Sequence, residues 1–187
     1  DPIGVVALIS AWNYPLNVAW RKVAPALVAG NCVVLKPSEI ACLSVMFLSK
    51  ACHEAGVPPG VFNLVTGGPE AGAALASHPY VGMVSFTGSS PTGRKILSSC
   101  SNNLAKPHLE LGGKSALIVC EDMKDDIDSA VEAVMTGFLC NAGQICTAHS
   151  RLIVHENIRQ VLLDKVIEKL KNLVKTESYC IDPINEF

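Results

Sequence analysis

Two short glycine-rich segments carry the side chains best suited to covalent chemistry. Cys146 lies in the run Gly-Gln-Ile-Cys-Thr, and Glu110 begins the run Glu-Leu-Gly-Gly-Lys. A thiol is intrinsically nucleophilic, and a carboxylate in a turn can act as a general base. Glycine lets the backbone approach a substrate without a Cβ clash. The pair therefore predicts covalent catalysis on a carbonyl carbon.

Each of these residues also has a purely structural interpretation. A lone cysteine is more often a buried hydrophobic side chain than a nucleophile, and Glu110 is equally well explained as a buried partner of Lys114. Cys140 is a second candidate thiol. Because it ends an apolar helical run, we expect Cys140 in the core and Cys146 at an accessible turn.

Asn13 follows the first apolar run of the chain, within Trp12-Asn-Tyr-Pro. Its side-chain amide can donate to a developing oxyanion. The alternative is an asparagine that caps the following helix, and the residues alone favour this alternative.

Two further segments suit a dinucleotide. Lys36 and Glu39 lie at a strand-to-helix turn, where both can bond ribose hydroxyls, and a carboxylate there disfavours a 2′-phosphate and hence NADP. A solvated ion pair at a helix N-terminus explains them equally well. Gly88 and Gly93 flank a helix start that can bind a pyrophosphate, although neither G-x-G-x-x-G nor a Walker loop occurs.

The elements that must position these segments alternate between strand and helix. Apolar runs predict strands at residues 5–10, 32–35, 62–66, 81–87, 108–111 and 116–120. Helical patterns lie between them, including one at 39–55 that Ser38 would cap. The alternation predicts an α/β fold, a Rossmann-like parallel sheet with flanking helices. Helices near 127–138 and 158–173 and a strand at 151–155 predict the beginning of a second α/β domain. We place the boundary near residue 122, giving domains 1–121 and 122–187.

Composition limits the classes of function. The chain has 187 residues, 49% hydrophobic and 17% charged, with a net charge of −2. This predicts a well-packed globular protein with no affinity for nucleic acid or an anionic membrane. The eight cysteines include no Cys-x-x-Cys pair, so we expect free thiols, no metal site and a reducing compartment, either cytoplasm or an organelle.

Taken in order, W-N-Y-P, L-K-P-S-E, F-T-G-S, E-L-G-G-K and G-Q-I-C resemble the NAD(P)-dependent aldehyde dehydrogenase superfamily. The resemblance runs from Asp1 to about Lys175, and within the superfamily the motif sequences are most similar to those of betaine-aldehyde and aminoaldehyde dehydrogenases. The resemblance implies NAD as cofactor, with NADP possible, and a homodimer or homotetramer acting on a small-molecule aldehyde.

The resemblance also implies a role for each motif residue. Cys146 is the nucleophile that forms a thiohemiacetal and then a thioester, Asn13 stabilises the oxyanion, and Glu110 activates the water that releases the acid. The implied cofactor contacts are Trp12, Lys36, Ser38, Glu39, Gly88, Ser89, Gly93 and Leu111.

This sequence departs from the family pattern in two ways. Arg21 stands where family members commonly carry tryptophan, which removes an aromatic side chain expected in the substrate tunnel, and Ala11 replaces a proline. Family members are also far longer, and their later Glu-x-Phe-Gly-Pro segment does not occur here. We therefore expect this chain alone to be inactive. A non-catalytic nucleotide-binding or interaction module is the alternative, and Glu110 argues against a CoA-dependent acylating enzyme.

Overall fold

The computed structural model describes residues 1–175. The chain divides into two compact units, Asp1–Gly112 and Gly113–Phe187. This division falls before the predicted boundary near residue 122. The reason is a strand at 116–119, which pairs within the second unit instead of extending the first sheet.

The first unit is a five-stranded parallel sheet with helices between its strands. Its strands are arranged in the order β3-β2-β1-β4-β5, and every pairing is parallel. The predicted Rossmann-like α/β sheet is therefore confirmed. Its elements are β1 (Val5–Ile9), α1 (Pro15–Val28), β2 (Cys32–Lys36), a 3-10 turn (Glu39–Ala41), α2 (Leu43–Glu54), β3 (Phe62–Leu64), α3 (Pro69–Ser77), β4 (Val81–Thr87), α4 (Ser90–Asn103) and β5 (Lys106–Glu110).

Alternation along each strand divides the side chains between two cores. One core lies under α1 and α2 and includes Leu8, Val23 and Leu35. The other lies under α3 and α4 and includes Phe86 and Ile96. Because successive side chains of a strand point to opposite faces, the neighbours of Phe86 in β4 face α1.

The second unit is smaller, and within its described residues, 113–175, two parallel strands pack with two helices. Val119, Val131 and Leu162 belong to its core cluster. Asp126 caps its first helix by accepting a hydrogen bond from Ser129 N at 3.3 Å. The elements are β6 (Ala116–Val119), a 3-10 segment (Glu121–Asp126), α5 (Ile127–Leu139), a 3-10 segment (Cys140–Gly143), β7 (Arg151–Val154) and α6 (Glu156–Lys175).

The predicted helix at 39–55 was wrong in its first turn. Ser38 occupies the N-cap position of the short 3-10 turn, but its side chain makes no capping hydrogen bond. The turn closes with Ala41 N donating to Ser38 O, and α2 begins only at Leu43. The strand predicted at 62–66 is also shorter and ends at Leu64.

Candidate active site and cofactor-binding site

The sequence-predicted segments of the first unit lie at the carboxyl ends of its strands. The sheet order places β1 beside both β2 and β4, so the topological switch point falls between β1 and β4. Open α/β sheets bind ligands outside the carboxyl ends of the strands at such a point. Trp12 and Asn13 follow β1, and Gly88 and Ser89 follow β4.

Lys36 and Glu39 form a close ion pair at the end of β2. Lys36 Nζ lies 3.1 Å from Glu39 Oε2. The lysine side chain is 7% exposed and the glutamate side chain is 52% exposed, so the pair is not the fully solvated one of the alternative interpretation. The backbone amide of Glu39 and the Lys36 ammonium lower the pKa of the Glu39 carboxyl. Glu39 therefore presents a stably ionised acceptor held by a buried cation.

The helix after β4 begins in a well-formed cap. Ser89 accepts from Thr92 N at 3.4 Å and donates to Thr92 Oγ1 at 3.0 Å. α4 spans fourteen residues, so its N-terminus carries the partial positive charge that suits an anion. Gly93 lies in its first turns, where a Cβ would meet Leu111 Cδ2 at 2.6 Å. Leu111 thus packs on the start of this helix.

Asn13 does not occupy the N-cap position of α1. The N-cap position belongs to Tyr14, and the helix begins at Pro15. Asn13 is half-buried, whereas Trp12 is 46% exposed. Asn13 is therefore not the N-cap residue that the sequence favoured, and it lies in the loop after β1, beside the switch point.

Glu110 ends β5 and is linked to three polar side chains of the first unit. His108 Nε2 lies 3.7 Å from Glu110 Oε1. His108 Nδ1 lies 3.0 Å from Ser85 Oγ, which accepts a hydrogen bond from Lys22 Nζ at 2.7 Å. Gly88 N also donates to Glu110 O at 3.1 Å. The Glu110 side chain is 56% exposed, so it is not the buried glutamate of the alternative interpretation.

Lys22 is the one strongly shifted base among these side chains. It projects from α1 and is 8% exposed. The pKa of Lys22 is lowered from 10.5 to about 8, mainly by burial; the charge of Glu110 opposes this shift, and the charge of Arg21 contributes to it. At neutral pH the ammonium therefore persists at an energetic cost, and Ser85 and Glu110 are the groups that offset it.

Cys146 lies in the second unit, after an unusual backbone segment. Asn141, Ala142 and Gly143 all adopt positive φ, at 51°, 55° and 76°. Two consecutive non-glycine residues in this region are strained. The turn is closed by Gln144 N donating to Asn141 O, and Cys146 is exposed, as predicted.

Cys140 is exposed as well, so its predicted burial in the core was wrong. It stands at the start of the 3-10 segment after α5 and not inside the helix, because α5 ends at Leu139. Exposure alone does not distinguish the two thiols. The two cysteines differ in backbone context: Cys140 precedes the strained segment, and Cys146 lies in the turn that follows it.

The strand after Cys146 is anchored by close backbone approaches within the second unit. His149 N donates to Gly137 O at 2.9 Å, and the His149 ring occupies the space that a Cβ on Gly137 would need. Arg151 Nε donates to Lys114 O at 2.8 Å. These contacts fix the chain on the carboxyl-terminal side of Cys146.

Sequence reasoning missed Lys22, Ser85 and His108 as site residues. A signal existed for two of them. Lys22 lies between apolar positions of an amphipathic helix, and His108 precedes Glu110 by two residues and so shares its face of the strand. Ser85 carried no signal, since a serine in an apolar strand is ordinarily unremarkable.

Residues 1–175 contain no group of three or more His, Cys, Asp or Glu side chains able to hold a metal ion. No helix within the same residues is long and apolar enough to cross a bilayer.

The first unit defines a class of protein: a doubly wound α/β domain with an ion pair at the end of β2 and a helix N-terminus at its switch point, an arrangement typical of dinucleotide-binding domains. The family follows from comparison with known proteins. The model of the aldehyde dehydrogenase family matches residues 1–182, and the chain belongs to that family.

Its relatives include aminoaldehyde dehydrogenases and betaine aldehyde dehydrogenases. The chain is 51% identical over 187 residues to aminoaldehyde dehydrogenase 2 of Zea mays, covering all of this chain and 36% of the relative. It is 53% identical over 174 residues to betaine aldehyde dehydrogenase 1 of Oryza sativa subsp. japonica, covering 92% of this chain and 34% of the relative.

A solved structure of an aldehyde dehydrogenase also matches the fold of this chain. Betaine aldehyde dehydrogenase of Staphylococcus aureus in complex with NAD⁺ matches with a TM-score of 0.87 and 39% identity, covering 91% of this chain and 34% of that one. The chain thus spans about a third of the length of the relatives that it matches.

Proposed function

We propose that this chain is the NAD-binding and nucleophile-bearing part of an enzyme that oxidises an aldehyde to its carboxylic acid. The observation that carries the proposal is the Lys36–Glu39 pair beside the switch point of the sheet, in a chain of the aldehyde dehydrogenase family. A buried lysine holding a half-exposed carboxylate supplies a donor and an acceptor for the two hydroxyls of a ribose.

The residues of the first unit fit NAD. Lys36 and Glu39 would bond the adenosine ribose, with Ser38 in the same turn, and the N-terminus of α4 with Ser89 would face the pyrophosphate. The remaining proposed contacts are Trp12, Gly88, Gly93 and Leu111. The ionised Glu39 repels a 2′-phosphate, which favours NAD over NADP. When bound, the cofactor accepts the hydride that the aldehyde carbon loses.

The side chains of this chain supply the rest of the chemistry. The Cys146 thiolate forms a C–S bond to the aldehyde carbon, and the carbonyl oxygen becomes an oxyanion. The Asn13 amide and the Cys146 N–H stabilise that oxyanion. After loss of hydride, a thioester remains. Glu110 then takes a proton from water, whose oxygen displaces the sulfur and releases the acid.

The names of the relatives suggest the substrate class. Dehydrogenases of aminoaldehydes and of betaine aldehyde are the proteins to which this chain is similar, so we propose an aldehyde that carries an amino or a quaternary ammonium group. Arg21 stands where a tryptophan is common in the family. This exchange replaces an aromatic surface that would attract a cation, and we expect the amino group to be neutral or distant from Arg21.

Two experiments test the proposal. Calorimetric titration of NAD into the 187-residue chain should give saturable heat. A family-length protein that contains these residues should form NADH from betaine aldehyde or an ω-aminoaldehyde, and the 187-residue chain alone should form none. Absence of saturable heat would contradict the proposed NAD site. Absence of turnover by the family-length protein would contradict the proposed aldehyde oxidation.

A non-catalytic nucleotide-binding module is the second candidate. It is favoured by one observation: the residues proposed for the adenosine half of NAD all lie in the first unit and need nothing from the second. This candidate predicts saturable NAD binding together with a family-length protein that leaves every aldehyde unchanged.

Compartment and assembly complete the proposal. We place the protein in a reducing compartment, which the seven free cysteines among residues 1–175 support. For the family-length protein we expect a homodimer or homotetramer, and sedimentation velocity would distinguish these from a monomer.

A further inference from the structure

We infer that His108 is a positioning residue for Glu110: it bridges the Lys22–Ser85 hydrogen bond to the carboxylate and presents an N–H to one carboxylate oxygen. The inference rests on the proposed function only where it concerns the rate of deacylation. The arrangement of the four side chains belongs to the first unit alone.

The sheet register brings the four groups to one face. Ser85 and His108 are direct partners across β4 and β5, and Thr87 and Glu110 are the next pair on the same face. Leu109, between them, packs on the opposite core under α3 and α4. Lys22 reaches the same face from α1, which covers that side of the sheet. The chain of contacts therefore follows from strand alternation and not from a chance side-chain conformation.

The protons can be assigned along this chain. The Lys22 ammonium has only donors, so Ser85 Oγ must accept from it at 2.7 Å. The serine hydroxyl keeps one hydrogen, and in the inferred arrangement it donates this hydrogen to His108 Nδ1, 3.0 Å away. A neutral imidazole that accepts at Nδ1 carries its hydrogen at Nε2. With Ser85 donating to Nδ1, the N–H of His108 faces Glu110, and this is the tautomer that the inference requires.

The contact to Glu110 is close but not yet a hydrogen bond. Nε2 and Oε1 are 3.7 Å apart, which exceeds a normal N–H···O distance by about 0.7 Å. Glu110 is half-exposed, so a small side-chain rotation closes the gap. One oxygen held by His108 leaves the second oxygen free to accept the proton of an attacking water. His108 therefore orients the base without touching the substrate.

The first test reads the tautomer directly in the 187-residue chain. Long-range ¹H–¹⁵N spectra should show His108 as the Nε2–H tautomer. Ser85→Ala should remove that preference, while His155, an exposed histidine paired with Glu121 in the second unit, keeps its own pattern. An Nδ1–H tautomer at His108, or a pattern unchanged by Ser85→Ala, overturns the inference whatever the enzyme does.

The second test reads the consequence in a family-length protein. His108→Leu should lower kcat about tenfold, a loss typical of a misplaced catalytic group, while the NADH burst of the first turnover keeps its rate. His108→Gln, whose amide N–H can take the place of Nε2–H, should recover most of kcat, and His155→Asn should be unchanged. A normal kcat in His108→Leu, or equal losses in the leucine and glutamine variants, overturns the inference. If Glu110→Gln shows no deacylation defect, the proposed role of Glu110 fails instead.

Discussion

Lys22 Nζ lies 2.7 Å from Ser85 Oγ and joins α1 to the centre of the sheet. The lysine is nearly fully buried, and the negative charge of Glu110, at the carboxyl end of β5, favours its ammonium form. This one hydrogen bond therefore connects the packing of the first unit to the residue proposed as its general base.

The buried ammonium predicts a pH dependence of stability. The pKa of Lys22 is lowered from 10.5 to about 8, so between these values the unfolded chain binds more protons than the folded one. The free energy of unfolding must then rise with pH in that window, by about 3 kcal/mol at most. We expect the free energy of unfolding of the wild type, relative to that of Lys22→Met, to rise by up to this amount between pH 7.5 and pH 10.5.

Urea denaturation in the presence of a reductant measures this difference. Both tryptophans of the chain, Trp12 and Trp20, lie in the first unit, so their fluorescence reports that unit alone. Lys95→Met removes an exposed lysine of the same unit and serves as the control, with a flat difference. A flat difference for Lys22→Met too would show that its charge carries no penalty.

Gly93 and Leu111 predict a change of sign in a mutant cycle. Alanine normally stabilises a helix relative to glycine by about 1 kcal/mol. At Gly93 a Cβ would meet Leu111 Cδ2 at 2.6 Å, so Gly93→Ala should destabilise the first unit by about 1 kcal/mol. In a Leu111→Ala background the same change should be stabilising. Equal effects in the two backgrounds, measured by tryptophan fluorescence in urea, would remove the proposed contact.

The backbone before Cys146 predicts a stabilising glycine. Ala142 has φ 55° and ψ 31°, a region that costs a non-glycine residue about 1 kcal/mol. Ala142→Gly should relieve this strain and raise the stability of the second unit by up to that amount. Hydrogen exchange of α5 and α6 measures it, since both tryptophans lie elsewhere. Ala133→Gly, on the exposed face of α5, should instead destabilise the same unit.

Glu39 predicts the choice between cofactors. Its carboxylate is ionised and half-exposed beside Lys36, so it repels a 2′-phosphate and accepts from a ribose hydroxyl. Glu39→Gln should weaken NAD binding about tenfold, as expected for one charged hydrogen bond, and should improve the affinity for NADP relative to NAD. Calorimetry with both cofactors tests this, with Glu54→Gln on α2 as control. An unchanged NADP-to-NAD ratio would assign Glu39 a structural role.

The sequence predicted the sheet well because its strands are continuous apolar runs separated by turn residues. Val81–Thr87 was predicted without error. The position of β6 was not predictable in this way. Its apolar residues suit either sheet, and only the long-range pairing with β7 decides between them.

Sequence motifs predicted the candidate site residues, but they did not predict the contacts between side chains. Cys146, Glu110 and the cofactor segments could be proposed from the sequence because each lies in a recognisable turn. The link from Lys22 through Ser85 to His108 was not found, because strand register and helix packing create it and no local pattern encodes either. Cys140 was misjudged for a similar reason: helical spacing continues past Leu139, but the backbone leaves the helix there.

The central claim is that Cys146 is acylated and that Glu110 releases the acyl group. The most direct measurement is peptide mass mapping of a family-length Glu110→Gln protein after mixing with NAD and an aldehyde. We predict about one acyl group per chain, located on Cys146, formed together with a burst of NADH and lost slowly. Cys140→Ala should leave this adduct intact, and Cys146→Ala should abolish it. An acyl group on Cys140, or a burst that survives Cys146→Ala, would contradict the account.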